Sequence, residues 1–183
     1  QNADDCYSEE FPQIFVRMEL RDNLLIIQNT GVPFSARGIL SLMHTDASSK
    51  HEGTIGCKGL GFRSVLNWAN RITVYTNEFY VDFSEDRAVH NLERYKQQSH
   101  AYGSEELDRL SRTAILTAAE VCNDKGEIAK WLLPDFSTAI VLYCEDAYIN
   151  EIRSQLTNLK FEELLFLQHV NIIEIVMGKA TRK

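Results

Sequence analysis

Apolar positions recur at every second residue over 13–20, where Ile14, Val16 and Met18 stand against Phe15, Arg17 and Glu19, the period of a half-buried strand. Arg21-Asp22-Asn23 reads as a turn, and 24–28 as a second, more buried strand. The two predict an antiparallel hairpin that ends at Asn29-Thr30-Gly31-Val32-Pro33. Ser35 is placed to cap a short helix over 36–43 that turns Ile39, Leu40 and Met43 to the core. Residues 44–55 are polar and contain Ser and Gly, the composition of a surface loop. Phe62, Val65, Leu66 and Ala69 then recur at helical spacing and predict a helix over 59–70.

Strands are expected at 71–76 and 79–83, joined through Asn77-Glu78. Residues 85–121 read as helical and charged with a break at Gly103-Ser104, and 123–126 as a turn; the whole stretch 85–133 has the weakest periodicity and reads as a helical insertion. Residues 138–144 form a strongly apolar strand, followed by an Asp146-capped helix carrying Ile149, Ile152, Leu156 and Leu159. A helical segment over 161–168 and a final strand over 171–177 complete the pattern, and 1–8 reads as the tail of a helix. The sum is α+β, a two-layer sandwich in which a mixed, antiparallel-rich sheet is covered by helices on one face. There are no internal repeats or low-complexity linkers.

At 183 residues and 44% hydrophobic the chain can bury one substantial core, so a single domain over 1–183 is expected. A formal charge of −7 argues against a nucleic-acid surface over the whole domain, which would need clustered Lys and Arg. Locally the balance inverts: Lys50, Lys58, Arg63 and Arg71 face Glu52 alone, a basic island in an acidic protein. Cys6, Cys57, Cys122 and Cys144 make no Cys-x-x-Cys pair, and the histidines make no His-Glu-x-x-His, so neither a zinc site nor a disulfide framework is suggested. A reducing, cytoplasmic location fits this usage, and no apolar run approaches a membrane span of ~20 residues. No signal peptide is visible, and both ends read as cut from a longer chain.

The chemistry concentrates in Gly56-Cys57-Lys58-Gly59-Leu60-Gly61-Phe62-Arg63-Ser64-Val65. Glycine reaches positive φ without a Cβ clash, so such a loop can turn successive amide N–H groups inward while the helix after it aims its N-terminal donors at the same point. The ligand this favours is a phosphate. A Walker A loop is excluded, since Phe62 and Arg63 stand where Lys and Ser/Thr belong. A dinucleotide fingerprint is excluded too, because the order is Gly-x-x-Gly-x-Gly and a polar stretch, rather than a strand, precedes it.

With Asn2, Asn29-Thr30-Gly31, the 56–65 loop and Ser137-Thr138 in this order, the chain resembles the GHKL (Bergerat-fold) ATPases, the superfamily of heat-shock chaperones, gyrases, histidine kinases and mismatch-repair proteins. Gln1-Asn2-Ala3-Asp4-Asp5, Ser48-Ser49-Lys50, residues 55–65 and Leu164-Leu165-Phe166-Leu167 look most like the sacsin-type branch, whose nucleotide domains sit in large multidomain proteins. The resemblance implies that the chain binds ATP with Mg²⁺. Asn2 would supply a neutral oxygen to the metal, which keeps several waters and takes few protein ligands. Asp5 would lie near the ribose or the metal waters. Asn29 stands where most of the superfamily carries an Asp that accepts from the adenine amino group, and an amide oxygen can accept that bond too.

Gly31 would let the backbone pass close beneath the base, although Pro33 replaces the usual second glycine. Phe34 would be among the residues that bind the nucleotide, and Thr138 would close the adenine pocket through its hydroxyl and a water. Ser49 and Lys50 fall in the segment 44–55 that forms a lid over ATP in relatives; Gly56, Lys58, Gly59, Leu60, Gly61 and Phe62 would cradle the phosphates.

In hydrolysing relatives a Glu four residues before the metal-binding Asn acts as general base; here that position lies three residues before Gln1. Residues 1–183 alone are therefore expected to hold nucleotide incompletely and turn it over slowly. The resemblance implies an ATPase switch of a larger protein, in which Mg-ATP closes a lid and shifts attached domains or a homodimer partner, and hydrolysis resets it. The alternative is a non-hydrolysing nucleotide sensor or a protein-interaction scaffold on a degenerate fold of the same type. A histidine-kinase role is less favoured because no phosphoacceptor helix is visible.

Overall fold

A computed structural model describes residues 3–43, 62, 64–98, 112–178 and 180–182. In chain order the elements are β1 (Ile14–Arg21), β2 (Leu24–Asn29), α1 (Ala36–Met43), β3 (Ala69–Thr76), β4 (Tyr80–Ser84), α2 (Glu85–Gln98), β5 (Ala119–Cys122), α3 (Lys125–Trp131), β6 (Thr138–Cys144), α4 (Ile149–Asn158), β7 (Val170–Met177) and β8 (Ala180–Arg182). One eight-stranded sheet runs in the order β5-β4-β3-β6-β2-β1-β7-β8. Every neighbouring pair is antiparallel except β1 and β7, which run parallel. The chain is thus α+β with a mostly antiparallel open sheet.

The first hairpin forms because Asp22 takes φ 52°, a left-handed conformation that Asp tolerates, letting Leu20 pair with Leu25 across a tight turn. Both faces of the sheet are buried along its centre. On β6, Ile140, Leu142 and Cys144 join one cluster while Ala139, Val141 and Tyr143 join the other. The larger cluster lies under Ile39 of α1, Leu66 of the 3₁₀ turn Ser64–Asn67, Ile115 and Leu116 of the 3₁₀ turn Arg112–Thr117, and Ile152 and Leu156 of α4. Each fully buried side chain of this kind contributes roughly 1.5–3 kcal/mol.

The opposite face is covered by Ile128, Trp131 and Leu132 against Ile26, Tyr75 and Val141. Helical cover is therefore not confined to one face, as the sequence pattern suggests: α3 lies on the other. It stands there because Asp124 Oδ1 accepts from the Gly126 and Glu127 N–H groups, 2.8 and 3.2 Å, capping a segment whose Ile128 and Trp131 are three residues apart.

Several elements depart from the expected pattern for physical reasons. Leu40 is more than half exposed, since Ile39, Leu42 and Met43 share the inward side of α1 and Leu40 points about 100° away. Ala69 and Asn70 belong to β3 rather than to the preceding helix, with Glu145 N–H bonding the Trp68 carbonyl where the chain turns into the sheet. Ala119–Cys122, expected to be helical, pairs with β4 as an edge strand. Residues 123–126 run straight into α3. Asp146 opens a 3₁₀ turn, Asp146–Tyr148, and caps nothing through its side chain; α4 begins after it. The segment expected over 161–168 is a 3₁₀ turn, Phe161–Leu164, and the N-terminal helical tail is the 3₁₀ turn Asp4–Cys6.

On the outer face of β1, Glu19 accepts from Arg17 at 2.6 Å and from Arg21 at 2.7 and 2.9 Å, and Arg17 also reaches Glu174 of β7 at 3.1 Å. Burial alone would raise the Glu19 carboxyl, but the two guanidinium groups outweigh it and hold it below the ordinary 4.5. A depressed folded pKa gives stability that is full above the ordinary value and is lost as pH falls through the folded one. Glu19→Gln is accordingly expected to cost about 0.5–1 kcal/mol at neutral pH. In thermal melts the gap between variant and wild type should narrow below pH 4.5.

Candidate functional site

β2 and β6 lie side by side in the sheet, so residues more than a hundred positions apart in the chain become neighbours. Asn29, the last residue of β2, is the cross-strand partner of Thr138, the first of β6. Both are buried. The Asn29 carbonyl accepts from the Ser137 N–H at 3.0 Å and from Ser137 Oγ at 3.2 Å, which fixes the two strand ends together. Thr138 Oγ1 accepts from the Phe34 N–H at 3.1 Å, drawing the segment before α1 over the same point.

Asn29 opens onto a cavity of about 780 Å³ on the face that carries α1 and α4; Thr138, buried beneath the Phe34 amide, is not among the residues that line it. Asn29, Phe34 and Phe62 line the cavity together with Leu156, Leu159 and Leu164. Its described walls are apolar apart from Asn29 and Gln155. Asn29 Nδ2 donates to the Thr30 carbonyl at 2.8 Å, and among the described residues no donor reaches its Oδ1. The amide orientation follows from that bond, because the reverse would set two oxygens against each other. A neutral acceptor in an apolar wall is equipped to bind a ligand N–H.

Other expected site residues fall elsewhere. Gly31 takes φ 97°, and a Cβ there would lie 2.6 Å from the Cys6 carbonyl oxygen and 2.6 Å from Ile14 Cδ1. The close approach that demands glycine is to the protein's own N-terminal turn. Gly31 lines a neighbouring cleft with Phe11, Pro33 and Lys125, not the cavity of Asn29. Asp5 lies half-buried in the turn Asp4–Cys6; Ala3 and Cys6 on either side reach the cavity wall, and Asp5 is not among the residues that line it. Asn2, Ser49, Lys50, Gly56, Lys58, Gly59, Leu60 and Gly61 lie outside the described residues, as do the lid segment 44–55 and most of the glycine loop.

One polar residue of the region is not singled out by the sequence. Asp4 is buried, and its carboxylate accepts from three successive backbone amides: Gln168 at 3.0 Å, His169 at 2.6 Å and Val170 at 2.9 Å. Burial would raise this carboxyl, and the amide bonds more than compensate, holding it below its ordinary value. Tyr7 stacks on the His169 ring at 3.9 Å. Nothing in local sequence distinguishes Asp4 from Asp5, since its partners lie some 165 residues away.

Among the described residues no group of three or more His, Cys, Asp or Glu is close enough to hold a metal ion, and no helix is long and apolar enough to cross a membrane. No family model and no curated protein matches this chain.

Proposed function

We propose that this chain is an ATP-binding domain of the GHKL type, similar in its motifs to the sacsin branch and part of a larger protein, and that the cavity lined by Asn29 takes the adenine base. The observation that carries the reading is the pairing of Asn29 and Thr138 across β2 and β6, next to a cavity walled by Phe34 and Phe62. Their chemistry fits the base. Asn29 Oδ1 would accept from an exocyclic amino group; the Thr138 hydroxyl, whose oxygen already accepts from Phe34 N–H, keeps its own proton to give to a water that bridges to the base. Apolar walls that include the Phe34 and Phe62 rings suit a heteroaromatic ring.

The triphosphate would be held by Lys58 and the 56–61 loop, the lid by Ser49 and Lys50, and Mg²⁺ by Asn2, assignments that rest on the resemblance. When bound, Mg-ATP would supply the binding free energy that biases a closed arrangement of lid and attached domains, or of a homodimer partner. By the same resemblance, hydrolysis would need a Glu general base four residues before Asn2. A second reading, an interaction scaffold that does not turn nucleotide over, is favoured by the exposure of Leu165 and Phe166, of which Phe166 lines the cavity.

The test is titration with Mg-ATP, by calorimetry and by thermal shift, of the wild type and Thr138→Val. Wild type is expected to gain stability with ligand. Thr138→Val, which removes the acceptor of the Phe34 amide and the donor to the bridging water, should lose about 1–2 kcal/mol of intrinsic stability and about tenfold in affinity. Absence of any Mg-ATP effect on the wild type, in a chain extended upstream as well as in residues 1–183, would sink the nucleotide reading.

A further inference from the structure

Three segments meet at the N-terminal side of the cavity. The turn Asp4–Cys6 gives its Asp4 carboxylate to the amides of residues 168–170. The same turn gives its Cys6 carbonyl to the Val32 N–H at 2.8 Å, and Gly31 packs against that carbonyl without room for a side chain. The third side closes through the Ile14 N–H, which donates to the His169 carbonyl at 3.0 Å and to Asn171 Oδ1 at 3.3 Å. Ala3 and Cys6 line the cavity, and Val170 lines it from the opposite strand. The turn that follows Asn29 and the start of β7 are thus tied to one short segment, by one buried carboxylate on one side and one carbonyl on the other.

We infer that Asp4 is the positioning residue of the cavity: by clamping the turn Asp4–Cys6 to the start of β7, it sets the Cys6 carbonyl that holds the Asn29–Val32 turn, and so the place of the Asn29 amide in the cavity wall. Its action is through backbone, without touching ligand. The consequence for nucleotide rests on the reading proposed above; the mechanical coupling does not. Linkage makes the coupling reciprocal, so that loosening either tie loosens the other. A buried carboxylate shared by three amides also suits this role better than a single hydrogen bond, because it fixes the direction of the loop as well as its distance.

The experiment is amide exchange by NMR on the whole chain, without ligand, for wild type, Asp4→Ala, Asp4→Asn and Gly31→Ala. In Asp4→Ala the Val32 amide, which Asp4 does not touch, should exchange at least about tenfold faster together with those of Gln168, His169 and Val170, while the amides of β6 keep their rates. Asp4→Asn retains an acceptor oxygen and should restore most of the Val32 protection. Gly31→Ala acts from the other side and should speed the 168–170 amides; if Asp4→Ala does not fold, this variant carries the test. Unchanged Val32 exchange in Asp4→Ala, unchanged 168–170 exchange in Gly31→Ala, or uniform acceleration that includes β6 would each overturn the inference. Mg-ATP affinity, about five- to tenfold weaker in Asp4→Ala, is read separately. If wild type does not bind nucleotide, the exchange rates of the ligand-free chain alone decide the role of Asp4.

Discussion

Asp82→Ala is expected to lower the melting temperature more than any other single polar substitution in the described sheet. Asp82 is buried on β4, where Oδ1 accepts from Thr73 Oγ1 at 2.7 Å and Arg71 Nε at 2.8 Å, and Oδ2 accepts from Arg87 at 3.2 Å. Removing the carboxylate strands the fully buried Thr73 hydroxyl, while the two guanidinium groups fare differently. Arg71 is about half exposed and can rehydrate, stacked as it is on Tyr143 at 4.7 Å. Arg87 keeps the carbonyls of Asp82 and Ala118 and its pairing with Glu120. The cost should therefore sit at the lower end for a broken buried pair, about 3 kcal/mol. For a chain of this length that corresponds to about 6–12 °C. Asp82→Asn, which still accepts from Thr73, should lose roughly half as much; equal losses for the two variants would show that the charge, not the hydrogen bond to Thr73, dominates.

The second large effect concerns ligand choice. If the cavity takes adenine, Asn29→Ala removes the acceptor for the exocyclic amino group and should weaken Mg-ATP binding about ten- to hundredfold. Inosine triphosphate sharpens the measurement, because it carries a carbonyl oxygen where adenine carries the amino group. Asn29 Oδ1 would face that oxygen without a proton between them. Wild type is expected to prefer ATP over inosine triphosphate by a similar factor, and Asn29→Ala to bind both alike. Asn29→Asp is not a harmless exchange here. Nδ2 donates to the Thr30 carbonyl, and a carboxylate oxygen in its place would repel that carbonyl, so the variant should lose stability even where it keeps base preference. Equal affinity of wild type for the two nucleotides would remove Asn29 from base recognition.

The parts of the fold that are legible in the sequence are those whose signal is local. The β1–β2 hairpin, α1 and β6 appear within a residue of their expected bounds, because alternation, a turn of Asp22-Asn23 and a Ser35 cap lie within a few residues of one another. α3 carries a local signal too, though a turn-rich surrounding conceals it: Asp124 followed three residues later by Glu127, with Ile128 and Trp131 behind, is a helix start. β5 has no such signal. Ala119-Glu120-Val121-Cys122 is a poor strand former, and only the free edge of β4 makes it one. For the candidate site, the meeting of Asn29 and Thr138 follows once β2 and β6 are taken as neighbours, whereas the Asp4 clamp depends on a loop at the far end of the chain. Gly31 shows the limit of a motif: the residue demands glycine, but the backbone that crowds it is that of Cys6.

The strand order also dictates a history for the growing polypeptide. β1–β2 and β3–β4 are complete hairpins early in the sequence, yet neither touches the other; β6 separates them, and β7 covers the remaining edge of β1. At a synthesis rate of about 5–20 residues per second, the β2 edge waits several seconds for residue 138 and the β1 edge longer for residue 170. Throughout that interval two apolar hairpins present unpaired edges on the ribosome. A nascent chain arrested before Thr138 should therefore bind chaperones or aggregate, and one extended beyond Met177 should not, so the order of strands makes the synthesis of residues 138–177 the step on which the solubility of this sheet turns.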